Sequence, residues 1–130
     1  MIQEAYCSFE VARLLEEKGF EGDINAYYHI LDNGNKVCSV QEFSNSEAPH
    51  LYIPAPTHQM AMKWLREVHN IHIEIYVIKN YDKEICKYTY TIMDLNFPGS
   101  DDGIDCCNEY KTYEQACESA IKYCLKRLVW

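Results

Sequence analysis

Residues 53–78 read IPAPTHQMAMKWLREVHNIHIEIYVI, and this stretch decides the fold because a helical period runs directly into a strand period. Pro54 and Pro56 hold Ile53 and Ala55 extended, since a pyrrolidine ring clashes with a preceding residue in the α region. Thr57 then caps a helix by accepting from a free N–H of its first turn. Met60, Ala61, Trp64, Leu65 and Val68 recur at helical spacing as one apolar stripe, with Gln59, Lys63, Arg66 and Glu67 opposite. After Asn70 the period becomes two: Ile71, Ile73, Ile75 and Val77 share one side, and His72, Glu74 and Tyr76 the other. So abrupt a change leaves no room for a loop. The helix and strand must fold back on each other, with Trp64 and Leu65 against the isoleucine side.

On the N-terminal side, Ser8 precedes an amphipathic run over residues 9–18, and Gly19 follows it. A serine cap, an early acid, a late lysine and a glycine just past the end are helix boundary signals. Val11, Leu14 and Leu15 face the core, with Phe20 tucked against the last turn. Residues 26–31 and 36–43 read as paired strands, because Asn33-Gly34 between them is a strong hairpin signal. Residues 44–49 form a polar loop, and 51–53 add a short extended segment.

On the C-terminal side, residues 80–84 make a turn. Residues 85–93 alternate, with Tyr88, Tyr90 and Ile92 on one face and Lys87, Thr89 and Thr91 on the other. Residues 96–108 are the longest irregular stretch. Thr112 and Gln115 resemble a capping box. They open a helix whose stripe is Ala116, Cys117, Ala120, Ile121, Cys124, Leu125 and Leu128. The expected fold is α+β, one domain over residues 1–130, in the order α-β-β-α-β-β-α. Its sheet has four strands, mostly antiparallel, with helices on one face. Residues 11–17 and 61–67 match in character and each precedes a hairpin; shared amphipathic-helix grammar explains the match equally well, and a true repeat would imply two αββ units sharing that sheet.

Composition narrows the function. The chain has 130 residues, within the range of one domain, and is 48% hydrophobic, which sets it apart from disordered chains. Net charge is −8, from 20 acidic against 12 basic residues, a balance that opposes phosphate neutralisation and so nucleic-acid binding. It also opposes docking on anionic membranes, and no apolar run reaches the ~18 residues of a membrane span. Residues 1–10 lack the basic and apolar regions of a signal peptide, so a cytoplasmic location is expected. Seven cysteines, an odd number in such a chain, are then expected as free thiols.

Motifs for chemistry are weak. Asp94–Asp105 places oxygens at several positions of a calcium loop. However, Pro98 stands where a ligand belongs, and Asp105 replaces the bidentate glutamate. No C-x-x-C or H-E-x-x-H spacing is present, and Cys106-Cys107 are adjacent. His69 and His72 straddle the helix-to-strand junction, where histidine serves the helix dipole. His72 and Glu74 point the same way on one strand with Cys86 on its neighbour, a constellation that solvent-face alternation also explains. The first helix resembles that of excisionase-like DNA binders, but a strand follows where a recognition helix belongs. No metal and no cofactor are expected.

Three blocks together, residues 5–20, 55–69 and 112–123, resemble a family of short proteins from prophage-type and other mobile-element regions of gut anaerobic bacteria. The resemblance implies context only: a cytoplasmic accessory protein, with no residue role carried over. The expected function is a non-catalytic protein-interaction module. Its binding residues are His72, Glu74 and Tyr76 on an open sheet face, and its partner is a protein or a second copy. Eleven tyrosines against four phenylalanines suit that reading. One alternative is a phage-type counter-defence protein that stacks a small nucleotide signal on Tyr27, Tyr28, Tyr76 or Tyr90 with help from Arg13 or Arg66. Another is a Cys/His-dependent enzyme.

Overall fold

The computed structural model describes residues 2, 4–22, 24–31, 33–40, 52–79, 86–96, 103–106 and 108–130. The chain forms α1 (Phe9–Glu17), β1 (Ala26–Ile30), β2 (Lys36–Val40), β3 (Tyr52–Pro54), α2 (His58–Val68), β4 (Ile71–Lys79), β5 (Cys86–Asp94), β6 (Ile104–Asp105) and α3 (Tyr113–Arg127).

The junction in residues 53–78 takes the expected form. Thr57 accepts from the Met60 N–H at 3.2 Å and starts α2. The helix ends at His69, and one residue reverses the chain: Asn70 has φ 58, the left-handed conformation that closes many helices. β4 begins at the next residue. Trp64 is 7% exposed, and Leu65 and Ile71 are fully buried with it in one core cluster, against which Ile73 and Ile75 pack. The Trp64 ring also meets Phe20 at 5.6 Å and His69 at 4.5 Å, both edge-on. One end of the expected stripe is wrong. Val68 is 61% exposed, while Met62 is buried. The buried line of α2 is His58, Ala61, Met62 and Leu65 with Trp64 beside it, and the helix packs on both β4 and α3.

The other helices follow their boundary signals. Ser8 accepts from Val11 N–H, and α1 closes with Gly19 N–H donating to Glu16 and Phe20 N–H to Leu15, Gly19 standing at φ 86. Thr112 accepts from Gln115 N–H at 3.1 Å, but Gln115 Oε1 reaches back to the Lys111 N–H, one residue earlier than in a capping box. The stripe of α3 is buried as expected, except that Leu128 is only half-buried.

The expected single four-stranded sheet is not what forms. The described residues form two three-stranded antiparallel sheets, in the orders β2-β1-β3 and β4-β5-β6. Each expected hairpin is present, but each takes a short extra strand as its third member. β3 pairs with β1 (Tyr28 opposite Ile53), and β6 pairs with β5 (Ile92 opposite Ile104). Strands of two and three residues carry no readable alternation, so periodicity alone misses β6 and leaves β3 a mere extended segment. The two sheets also differ in order, with β1 central in one and β5 in the other, so two αββ units sharing one sheet do not describe the molecule. The first hairpin turns differently from a two-residue Asn-Gly loop. Leu31 N–H donates to Asn35, Gly34 N–H to Leu31, and of the two central residues only Gly34 has positive φ. The turn expected at 80–84 lies outside the described residues.

α2 and α3 both pack on the second sheet, and α3 also contacts α1. Ile71, Tyr90 and Ile92 are buried on the helix side of that sheet. Gly103 leads into β6 where the chain crosses β5 closely: a Cβ there would stand 2.6 Å from Thr91 Cγ2 and 3.3 Å from the Ile92 carbonyl. Gly103→Ala is therefore expected to destabilise the fold by about 1–3 kcal/mol. Thr91→Ser, which removes the clashing methyl and keeps the hydroxyl, should recover most of that loss. Urea unfolding of the two single variants and the double variant checks the pair.

Candidate functional site

The three residues expected at the site are where the alternation put them. His72, Glu74 and Tyr76 are exposed on the face of β4 turned away from the helices. They form no enclosed site. The Cys86 that would complete a catalytic set pairs with Lys79, at the opposite end of the ladder from His72, which pairs with Met93. His69 does not join His72 either, because its ring lies against Trp64. The nucleotide-stacking residues are scattered: Tyr90 is buried in the core, Tyr28 donates its hydroxyl to the Cys7 carbonyl at 2.6 Å, and Arg13 faces Glu17. In the acidic loop, residues 97–102 lie outside the described residues. Asp94 accepts from Asn96, and Asp105 accepts from Thr91 at 2.8 Å.

What β4 does offer is its edge. In β5 the Tyr88 and Tyr90 backbone groups bond toward Tyr110 and Cys106, away from β4. Antiparallel pairs alternate in bonding direction, so Thr89 and Thr91 bond toward β4, opposite Tyr76 and Glu74. The N–H and C=O groups of Ile73, Ile75 and Val77 therefore point to the far side of β4. No described strand pairs there. Nine consecutive pairs hold β4 to β5 without a bulge, and β4 contains no proline.

A second cluster joins three distant segments. Residues 5–8 run antiparallel to 56–58: Tyr6 bridges Thr57, Cys7 N–H donates to Pro56, and His58 N–H donates to Ala5. This short ladder sets Cys7, just before α1, beside His58, the first residue of α2. Glu118 on α3 closes the group. Its Oε1 is 3.1 Å from His58 Nε2, and its two oxygens accept from Ser8 N–H at 3.0 and 3.2 Å. The carboxylate thus sits at the first turns of both α1 and α2, where the helix dipoles favour negative charge. Burial alone raises its pKa, but the hydrogen bonds from His58 and Ser8 outweigh that and hold it below the ordinary value. Cys7 is 0% exposed and His58 6%. Burial, reinforced by Glu118 and Cys117, pushes the Cys7 thiol far up, so it is protonated at neutral pH.

A groove of about 640 Å³ opens over this cluster, lined by Tyr6, Ser8, His58, Tyr110, Ser119 and Lys122 among others. Tyr110 and Ser119 share a hydrogen bond of 2.6 Å in its wall. Cys106 lies near that wall, 3.8 Å from the Tyr110 hydroxyl. Burial works to raise its pKa, but hydrogen bonds, first from Asn108 N–H, leave it lowered.

The cluster escaped the sequence reading, although one signal was present. Carrying the α2 stripe one turn back from Ala61 and Met62 lands on His58, a polar residue in an apolar line. Compared with protein-family models, curated proteins and solved structures, the chain matches none. Among the described residues no helix is long and apolar enough to cross a membrane. Removing the Glu118 acceptor should leave Ser8 N–H and His58 without a partner. Glu118→Ala is thus expected to cost about 1–3 kcal/mol in urea unfolding, and Glu118→Gln, which retains an acceptor, distinctly less.

Proposed function

We propose that the chain is a non-catalytic protein-interaction module that binds an extended segment of a partner protein along the edge of β4, at Ile73, Ile75 and Val77, where no described strand pairs. The observation that supports this most is the edge itself. It is nine residues long and unbroken, with the N–H groups of Ile73, Ile75 and Val77 aimed outward. Strands at sheet edges are ordinarily blunted by proline, bulges or short length, because an open edge is a template for pairing. β4 lacks all three devices. Side chains favour the same use: Val77 is 51% exposed at the edge, and His72, Glu74 and Tyr76 flank it on the open face. An added strand would gain main-chain hydrogen bonds from the edge and selectivity from these alternate side chains.

Charge selects the occupant. Two copies of a chain carrying −8 repel each other, whereas a segment with lysine or arginine among β-branched residues is attracted and can face Glu74. The described thiols are all unpaired, which suits action in the reducing cytoplasm. The resemblance to mobile-element proteins suits an accessory role against or alongside a host protein.

A synthetic strand peptide alternating valine with lysine is the probe. Binding is expected to slow hydrogen exchange at Ile73, Ile75 and Val77 while leaving the inward amides of Glu74 and Tyr76 unchanged. Val77→Pro removes an outward donor and no ladder bond, so the fold should persist while peptide affinity falls by more than about tenfold. Unchanged affinity in that variant would sink the edge as the binding element. A dimer at micromolar concentration in sedimentation would replace the foreign segment with a second copy.

A further inference from the structure

We propose that Cys7, His58 and Glu118 bind one divalent ion of the zinc class. One imidazole nitrogen, the Cys7 sulfur and a Glu118 oxygen all lie within 4.8 Å of one another. These three atoms form a closed triangle around a point. A nucleophilic relay has a different shape, because it places thiol and carboxylate at opposite ends of the ring, each on its own nitrogen. Access points the same way. Cys7 is 0% exposed, which closes its sulfur to a substrate carbon, whereas His58 and Glu118 line the groove and would receive an ion from that side.

The dimensions suit a tetrahedral ion. Bonds of about 2.0–2.3 Å to nitrogen, oxygen and sulfur set ligand atoms roughly 3.3–3.7 Å apart. His58 Nε2 and Glu118 Oε1 already stand 3.1 Å apart, and the Cys7 sulfur, within 4.8 Å of a ligand atom of each, would draw in as an ion binds. A set of one sulfur, one nitrogen and one oxygen selects zinc over magnesium or calcium, which take oxygen alone. Charge also balances, since a thiolate and a carboxylate neutralise a divalent ion and leave no net charge in a largely buried site. The Cys7 proton leaves to solvent as the ion binds.

Supporting contacts are in place. Ser8 N–H orients the Glu118 carboxylate, and the ladder between residues 5–7 and 56–58 fixes the other two ligands. A remaining coordination position would fall to a small oxygen ligand such as water, and the groove lined by Tyr110, Ser119 and Lys122 borders Glu118 and His58. The ion would tie the segment before α1 to the start of α2 and the middle of α3, so that its binding adds to folding stability.

The test uses the whole chain, stripped with a chelator and titrated with zinc or cobalt. One equivalent of cobalt should give a thiolate-to-cobalt charge-transfer band with the visible spectrum of a tetrahedral site. Zinc should raise Tm in a concentration-dependent way. Cys7→Ser should abolish the band, and Cys7→Ser and His58→Gln should each weaken zinc binding by more than about 100-fold. A Cys38→Ser/Cys86→Ser variant, which removes two exposed thiols, should change neither. If Cys7→Ser does not fold, His58→Gln carries the comparison with its thiol intact. No cobalt band in the wild type overturns the proposal, as does binding that survives in His58→Gln or disappears with Cys38 and Cys86. Neither result touches the edge of β4.

Discussion

The burial of Trp64 and Leu65 against the isoleucine side of β4 is the constraint on which the rest of the structure depends. Each large side chain taken fully out of water contributes about 1.5–3 kcal/mol, whereas a helix cap contributes about one. The caps therefore fix where α2 begins and ends, and the packing decides that it lies on β4. Asn70 makes this possible in a single residue, because its short polar side chain tolerates the left-handed turn. α3 then completes the core, with Ala120, Ile121, Cys124 and Leu125 buried in the same cluster as Leu65 and Ile71.

Much of this was legible, and the reasons are local. Period 3.6 in all three helices, period two in β4 and β5, and Ser8, Thr57 and Thr112 as caps are properties of a few neighbouring residues each. The failures share a different origin. Whether β1 joins β5 in one sheet or recruits Tyr52–Pro54 instead depends on contacts between distant segments, which no window of ten residues contains. Val68 failed for a related reason: it has the right spacing for the stripe, but the chain reverses two residues later, and Val68 is left exposed while Met62 and Leu65 are buried.

The same division runs through the sites. The open face of β4 is a periodic feature, so His72, Glu74 and Tyr76 could be placed from the alternation alone. Cys7, His58 and Glu118 come from three segments, the last two 60 positions apart. None of the three breaks its local pattern strongly. Cys7 passes for a small hydrophobe, and Glu118 lies at the margin of an α3 stripe, three residues before Ile121. Only His58, polar within the buried line of α2, carried a hint.

α2 connects the two ends of the molecule that matter most. Its first residue is held by Glu118 and by the pairing with Ala5, and its C-terminal end is held by the edge-on contact between the His69 ring and Trp64. Asn96 adds a bond from its side-chain amide to the His69 carbonyl at 2.7 Å, which fastens the start of β4 to the end of β5. A helix of 11 residues spans about 16 Å, so this rod is fixed at both tips. The strand that emerges from it is held in register by its nine pairs with β5. Ordering an edge strand at the moment of binding costs free energy, and a strand already held by nine pairs on one side and a clamped helix beneath avoids most of that cost. The buried polar cluster and the exposed edge share no residue, and α2, which begins at the first and leads into β4, is the element that joins them.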